Sequence, residues 1–558
     1  MGDRVSVLVV GAGLAGLSSA MFLAQRGVDV LLVERRSGTS PFPRAVGQNQ
    51  RTMELLGFGG VADAVRACGP AATGFRVRIA ASLRGPAFKE AVHDDVVADA
   101  GALSPAVWGM AGQDKAEPVL RQRAEELGAQ LRFGIELVSF AEDATGLTAV
   151  LRERGGELTR EVRADYLVAA DGARSGVREA LGVNRHGPGG LSHNINMIFD
   201  ADLSELIDHE RPTLHIVRNG QVAGVFAPVD TVNGRHLFST SYDPDKGHSP
   251  ADFTPGRCTE LIRTLTELPE LEVRIRAVQP WEMAAAVADR FRVGRVLLAG
   301  DAAKVTPPIG GFGGNTAIGD AFDLAWKLAA VLDGSAGPGL LDSYDAERRS
   351  IAERVVAESL RLRDTREFSS PGKDTEKISE QVPEQVSEQQ KAIELTLGFR
   401  YRSDAVLTED ADPADAEDPY EPTGRPGFRA PHVWLRNRDS EQVSTVDLFG
   451  RGFVLLSGVT GGFWTDAAKQ VAANLGVAVR THLIGMELTD TDGRFHPRYG
   501  IDTSGASLVR PDGVVAWRSA AAPDNPVRTL SHVLTAVLAR ESEDGASAPR
   551  RAKAVASE

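Results

Sequence analysis

The chain has 558 residues, room for two to four domains, and its 42% hydrophobic and 25% charged residues are the proportions of a globular protein. A formal net charge of −14 argues against nucleic acid or an anionic membrane as partner. The only two cysteines, Cys68 and Cys258, have neither metal nor redox spacing, so no metal is expected and a reducing, cytoplasmic setting is.

The first predicted element is an apolar, β-branched strand, Val5 to Val10, followed at once by Gly11-Ala12-Gly13-Leu14-Ala15-Gly16. A helix rich in Ala and Leu runs on to Arg26, a second apolar strand spans Val28 to Val33, and Glu34 stands at its end. Strand, tight turn, helix, strand and acid form the dinucleotide fingerprint in its confirming context. Gly11 permits the turn, and Gly13 lets backbone approach a pyrophosphate lying over the Gly13, Leu14, Ala15, Gly16 turn at the helix N-terminus. Gly16 lets helix and strand pack closely, and Glu34 accepts from an adenosine ribose. The apolar stretch Val5 to Ala24 imitates a signal peptide or a membrane span, but three glycines at fingerprint spacing and Glu34 argue against either.

Alternating strand-like and helix-like segments continue to about residue 183. Near the end of that stretch the strand Tyr166–Ala170 stops at Asp171-Gly172, with Ser175 and Arg178 at a helix start. Short alternating runs then follow (Asn196–Asp202, Thr213–Val217, His236–Thr240), which read as an antiparallel sheet inserted over 184–274. The α/β pattern resumes over 275–370, where the strand Val296–Ala299 ends in Gly300-Asp301. Pro307-Pro308 and the glycines Gly310, Gly311, Gly313 and Gly314 come next, closing on Asn315 at a helix start. Asp301 is placed to accept from ribityl hydroxyls, and the glycine turn offers backbone N–H groups and a helix dipole to an electron-poor ring edge.

A Glu-, Gln-, Asp- and Pro-rich connector occupies 371–423, with a helix around Gln389 to Leu397. A third α/β unit spans 424–545, including a hairpin about Asp512-Gly513, and a polar tail covers 546–558.

The three motifs, in this order and spacing, resemble those of the single-component flavoprotein aromatic hydroxylases, the p-hydroxybenzoate hydroxylase class. The likeness covers residues 1 to about 366, including the segment Phe42–Leu56 and the helix begun by Gln113. It is greatest to polyketide-tailoring hydroxylases of the aklavinone hydroxylase type, and extends into Leu397–Arg402 and the C-terminal unit. The fold the resemblance implies is α/β: a Rossmann-like FAD-binding domain, an inserted antiparallel-sheet substrate domain, and a C-terminal thioredoxin-like domain. That last unit has no cysteine, so thiol chemistry is excluded there. One departure from relatives, which often carry His, is Lys304.

The resemblance implies resident FAD, with Glu34 at the adenosine and Arg35, Arg44 and Gln113 as further cofactor partners. Asp171 and Asp301 would face the cofactor, and Pro308 with the Gly311, Gly313, Gly314, Asn315 backbone would carry the isoalloxazine. NADPH or NADH would bind transiently, and O2 would add to give a C4a-hydroperoxide that hydroxylates a polycyclic aromatic polyketide. Trp108, Met110, Phe226, Pro228 and Phe312 are the candidate substrate-lining residues. Arg366, after a long helix that also carries Arg361 and Arg363, is the candidate substrate-polarising cation. Baeyer–Villiger or epoxidising chemistry on the same scaffold, or a flavin reductase or oxidase without oxygen insertion, remain open, as does monomer or homodimer.

Overall fold

The computed structural model describes residues 3–70, 75–93, 100–208, 211–230, 233–365, 385–409 and 413–540. Among these, no helix is long and apolar enough to cross a membrane. Arg366, residues 371–384 of the connector and the tail 546–558 lie outside the described residues.

The first sheet is the scaffold of the site. Its central strands are parallel and adjacent in the order Val296–Leu298, Thr159–Ala169, Asp3–Val10, Val30–Glu34, Gln130–Phe133. Strands buried on both faces read as unbroken apolar runs, as Val30–Val33 does here, with every residue buried. Helix Leu14–Gln25 covers one face and is itself buried from Leu14 to Ala24. It is sandwiched against helix Phe312–Leu332, with Phe22 and Phe322 in edge-to-face contact at 4.8 Å. The segment with the strongest resemblance to a membrane span is therefore apolar all round because both its sides are core.

The second sheet has eight strands, in the order Lys304–Val305, Arg274–Ala288, Arg185–Asp200, Arg235–Tyr242, Ala223–Asp230, Thr213–Arg218, Phe75–Ala80, Ala87–His93. It draws strands from both sides of the expected 184–274 insertion. Phe75–Ala80 pairs in parallel with Thr213–Arg218, and Arg274–Ala288 pairs along nearly the whole of Arg185–Asp200. Such pairings join residues far apart in sequence, which periodicity within a window does not reveal. Helix Pro255–Thr266 covers one face of this sheet, over a core that includes Met197, Phe199, Phe226, Phe238 and Ile262.

The C-terminal unit is a mixed four-stranded sheet, ordered Val479–Leu483, Phe453–Ser457, Ala506–Val509, Val515–Ser519, with helices Gly462–Leu475 and Pro526–Val537. Its hairpin turns at Asp512-Gly513, where Gly513 adopts φ +76°. This hairpin does not stop at its own core. Arg510, fully buried, reaches Glu347 at 2.7 Å and Asp512 at 2.5 Å. Glu347 also meets Lys327 at 2.6 Å, and Lys327 meets Asp323 at 2.6 Å. Farther along helix Phe312–Leu332, Asp320 binds Lys304 at 2.6 Å and Arg348 at 2.8 Å. Four acids (Asp320, Asp323, Glu347, Asp512) and four bases (Lys304, Lys327, Arg348, Arg510) thus balance along one buried face.

A second buried link joins Arg429 of the C-terminal unit to Glu54 of helix Gln50–Phe58, with Arg51 and Ser104 also bonded to Glu54. Burial alone would raise the Glu54 carboxyl, but the charges of Arg429 and Arg51 and the hydrogen bonds from Arg429 and Ser104 more than offset it, to about 2.

Removing one member of such a buried network strands its partners. The variant Arg510→Met is expected to lose about 3–5 kcal/mol in urea unfolding, against at most about 1 kcal/mol for the exposed pair partner Arg121→Ala. Because the Glu54 carboxyl is depressed in the fold, its contribution is complete above about pH 4.5 and is lost as pH falls toward 2. The stability of wild type should therefore fall over that window more steeply than that of Glu54→Gln, as read by thermal unfolding at each pH.

Candidate active site

The three sequence motifs come together because their strands are neighbours. Glu34, Gly11, Asp171 and Asp301 follow the carboxyl ends of four adjacent parallel strands, in register at Val33, Val10, Ala169 and Leu298. At ~4.8 Å per strand, the row spans about 14 Å, the reach of an extended dinucleotide rather than a mononucleotide.

At one end, Gly11 holds φ +104°, and a Cβ there would collide with the Ala170 carbonyl. A Cβ on Gly16 would overlap the Gly11 carbonyl oxygen. Gly13 differs: the nearest atom to an added Cβ is Glu117 Oε1 at 3.9 Å, so its missing side chain leaves open space. Gly13 also begins helix Leu14–Gln25 without a side-chain cap, which leaves the amides around Leu14, Ala15 and Gly16 to an outside acceptor. Glu34 accepts from the backbone N–H of Ala12 at 2.9 Å and of Arg36 at 2.8 Å, so its carboxylate is fixed with lone pairs to spare. Arg35 is exposed.

Glu117 is a residue the sequence reading passed over. It is buried, with Oε2 accepting from Ser40 N at 2.7 Å and Oε1 from Gln113 Nε2 at 2.5 Å. Burial pushes its carboxyl up, the two hydrogen bonds oppose this, and Glu34 adds to the rise. Glu117 orients Gln113, whose own N–H donates to the Arg44 carbonyl at 2.8 Å. The only signal in the sequence was its i+4 spacing from Gln113.

At the other end of the row, Asp301 is solvent-exposed, yet protein surrounds it closely enough that desolvation raises its carboxyl, with Lys304 and then Arg44 opposing and Asp320 adding. Asp301 thus stands at the surface with protein packed close around it. Asp171 accepts from Val177 N at 3.2 Å through Oδ2, while its buried Oδ1 has no partner among the described residues, a further unmet acceptor on the same row.

Pro308 and Gly311 are exposed. Gly310 and Gly311 adopt φ +89° and +69°, and Gly311 begins helix Phe312–Leu332 without a side-chain cap. The Asn315 side chain is taken up internally: Oδ1 accepts from Asn49 N at 3.0 Å, and Nδ2 donates to Gly311 and Gly47 carbonyls at 2.7 and 3.1 Å. It fixes the turn, leaving backbone as what the turn offers. Gly314 is needed for close packing, since a Cβ there would lie 2.9 Å from that of Ala45.

The candidate substrate residues divide. Trp108 and Met110 are half-buried, and Trp108 Nε1 donates to Gln50 Oε1 at 2.9 Å, one residue from the Asn49–Asn315 contact. Phe226 is fully buried on the face covered by helix Pro255–Thr266, among Phe199, Phe238 and His236. Pro228, two residues on and paired with His236, shares that face. Phe312 is buried with Ile351, Val355 and Phe399, against helix Asp342–Thr365 and the connector. Strand parity turns Phe226 and Pro228 to the helix-covered face of the sheet, while Phe312 is buried beside the glycine turn.

The opposite parity carries the cleft face. Met283 packs on the cluster containing Ile309 and Phe312, so the side of the sheet bearing Met283, Trp281 and Gln279 is the one turned to the glycine turn. Gln279, Asn196 and Ser239 are cross-strand neighbours there, and Trp281 Nε1 donates to Asn196 Oδ1 at 2.8 Å. Arg361 and Arg363 pair with Glu358 and Asp364, while Arg366 lies outside the described residues.

Comparison with known proteins agrees with this geometry. Residues 4–359 match the FAD binding domain family, and residues 423–540 match the aromatic-ring hydroxylase C-terminal family. The chain is 50% identical to aklavinone 12-hydroxylase RdmE of Streptomyces purpurascens over 547 residues, 96% of this chain and 99% of that protein. It is 41% identical to tetracenomycin A2 monooxygenase-dioxygenase of Streptomyces glaucescens over 566 residues, 97% of this chain and 98% of that one. A crystal structure of aklavinone-11 hydroxylase with FAD and aklavinone has a TM-score of 0.88 at 48% identity, covering 97% of this chain and all of that chain.

The two fingerprint glycines should separate experimentally. Gly16→Ala meets the Gly11 carbonyl and is expected to destabilise even the cofactor-free protein by about 1–3 kcal/mol or more. Gly13→Ala meets nothing in the protein and should leave the cofactor-free melting temperature nearly unchanged while weakening FAD retention. Calorimetry of the stripped proteins and flavin content on purification check both.

Proposed function

The chain belongs to the FAD-dependent aromatic-ring hydroxylases, and we propose that it uses NAD(P)H and O2 to hydroxylate a flat, polycyclic, phenolic polyketide. The observation that carries this reading is the row of acceptors and uncapped helix ends along four strand termini, facing a sheet surface of mixed polar and aromatic character.

On this reading Glu34 accepts from the adenosine ribose, and the backbone amides of the Gly13 to Gly16 turn take the pyrophosphate, with Gln113 and Arg44 beside it. Asp301 accepts from the ribityl chain. Pro308 and the backbone of Gly311, Gly313, Gly314 and Asn315 present N–H groups and a helix dipole to the edge of the ring system. When bound, FAD supplies the reduction by nicotinamide and the activation of O2. The protein contributes orientation and exclusion of water. The nicotinamide visits without a fingerprint domain of its own.

A flat substrate fits between the ring system and the second sheet, with Trp108 and Met110 at its margin. Asn196, Ser239 and Gln279 offer hydrogen bonds to phenol and quinone oxygens, and Trp281 is held in place by Asn196. Arg366 is the proposed cation favouring the phenolate, the form in which the ring is most reactive toward electrophilic oxygen. The relatives' names point to the same substrate class: aklavinone for one, a tetracenomycin for another.

The test is NADPH and NADH oxidation by the holoenzyme with a panel of tri- and tetracyclic phenolic polyketides, with product masses. Stimulated oxidation and a product heavier by one oxygen are expected, reduced in Arg366→Ala with FAD still bound. Stimulation by simple phenols alone would refute the substrate class, and oxidation yielding only hydrogen peroxide would favour an oxidase.

A further inference from the structure

A cavity of about 300 Å³ opens beside strands Phe75–Ala80 and Thr213–Arg218 of the second sheet, and the proposed function gives it no task. Arg76 and Arg78 stand in register with Thr213 and His215, and His215 in turn with Phe226. Residues in register share a face of the sheet, and Phe226 lies on the face covered by helix Pro255–Thr266. The cavity is therefore on the side opposite Asn196, Ser239 and Gln279, apart from the row of cofactor groups.

Two buried nitrogens in its wall are orphaned. His215 is 5% exposed and lines the cavity, and its Nδ1 has no hydrogen-bond partner among the described residues. Nor has the buried Nε of Arg76, on the adjoining strand. Arg76 meets Asp208 at 3.6 Å, beyond hydrogen-bond length. Arg78 is occupied with the loop after its strand, donating to the carbonyls of Ser82 and Leu83 at 3.3 Å and of Gly85, and lies 3.4 Å from Glu90. Arg84 and Glu205 are exposed at the rim. Burial, then the charges of Arg78 and Arg76, push the His215 imidazole down to about 4, so it is uncharged near neutrality. The wall thus sets the guanidiniums of Arg76, Arg78 and Arg84 against the carboxylates of Glu205 and Asp208, with positive charge in excess. Buried polar atoms without partners are costly. An oxyanion would satisfy both: Arg76 Nε–H donates to it, and a neutral imidazole protonated at Nδ1 does the same. Leu83 and Leu206 supply the apolar part of the wall.

We propose that this cavity is a binding site for a small oxyanion, a carboxylate or phosphoryl group, held by Arg76 and His215 with Arg84 at its mouth and with Leu83 and Leu206 against its apolar part. The site is separate from the proposed flavin chemistry and does not depend on it.

The experiment is calorimetric titration of the FAD-loaded full chain with inorganic phosphate and, separately, with butyrate, ionic strength being held constant with chloride. It compares wild type with Arg76→Gln, His215→Phe, Arg84→Ala and, as a control, Arg121→Ala on the exposed surface of another helix. Wild type should bind at least one of the two anions at a single saturable site. Arg76→Gln and His215→Phe should each weaken that binding about tenfold or more, as loss of a charge-assisted or buried hydrogen bond does. Arg84→Ala, at the rim, should weaken it about threefold, and Arg121→Ala should leave it unchanged. Should the two buried variants fail to fold, Arg84→Ala against Arg121→Ala decides the matter, since both side chains are exposed. Binding of phosphate alone marks a phosphoryl ligand and binding of butyrate alone a carboxylate, and either supports the site. No saturable binding of either anion to wild type would leave the cavity to water and overturn the proposal. Undiminished binding in the folded cavity variants would overturn it too, as would an equal loss in Arg121→Ala.

Discussion

Helix Phe312–Leu332 offers its N-terminus to the cleft, and it is held in place by charge. Asp320, Asp323 and Lys327 lie on one buried face of it and are neutralised by Lys304, Arg348, Glu347 and Arg510. Buried ion pairs of this kind add little net stability over apolar packing, but they are intolerant of misplacement. A helix held by complementary charges at several points has one depth and one rotation. The glycine turn at its head, Asn315 clamped to Asn49, and the Gly300–Asp301 turn bound through Asp320 all inherit that placement.

The same network gives the C-terminal unit a purpose. Without cysteines it has no thiol chemistry, yet its hairpin sends Arg510 and Asp512 into the charged face of the cleft helix, and Arg429 caps Glu54 on helix Gln50–Phe58. Arg51 spans both, pairing with Glu54 and donating to the Asp512 carbonyl. The unit acts as a brace behind the cleft. A small cavity of about 50 Å³ remains at this junction, where Arg51, Arg348 and Asp512 meet the apolar side chains of Phe312, Ile351 and Phe399.

The parts of the site legible in the sequence were those in which chemistry is written into the backbone. Gly11 and Gly16 are fixed by two close backbone approaches and Gly13 by the open space it leaves at the helix end, and strand ends in Asp171 and Gly300-Asp301 declare themselves by the apolar runs before them. Side-chain direction was not legible. Phe226 and Pro228 lie one residue out of phase with the cleft face of their strand, and Phe312 is rotated into a core that forms only when the connector packs. Glu117 and Asp320 escaped, and Lys304 stood out only as a departure from relatives, for another reason: a charged residue reads as surface until its partner is known, and the partners of Lys304 and Asp320 lie on other elements. The extent of the second sheet was hidden likewise, since its strand Phe75–Ala80 is separated from its partner Thr213–Arg218 by more than a hundred residues.

The central claim is that a flavin seated along this row transfers one atom of O2 to an aromatic ring. It is met most directly by incubating the holoenzyme, NADPH and a polycyclic phenol that stimulates oxidation under ¹⁸O2 in ordinary water, and weighing the product. Incorporation of one ¹⁸O atom, absent when the label is in the water instead, is the predicted result. A product bearing no label from O2, or none formed while NADPH is consumed, would contradict it.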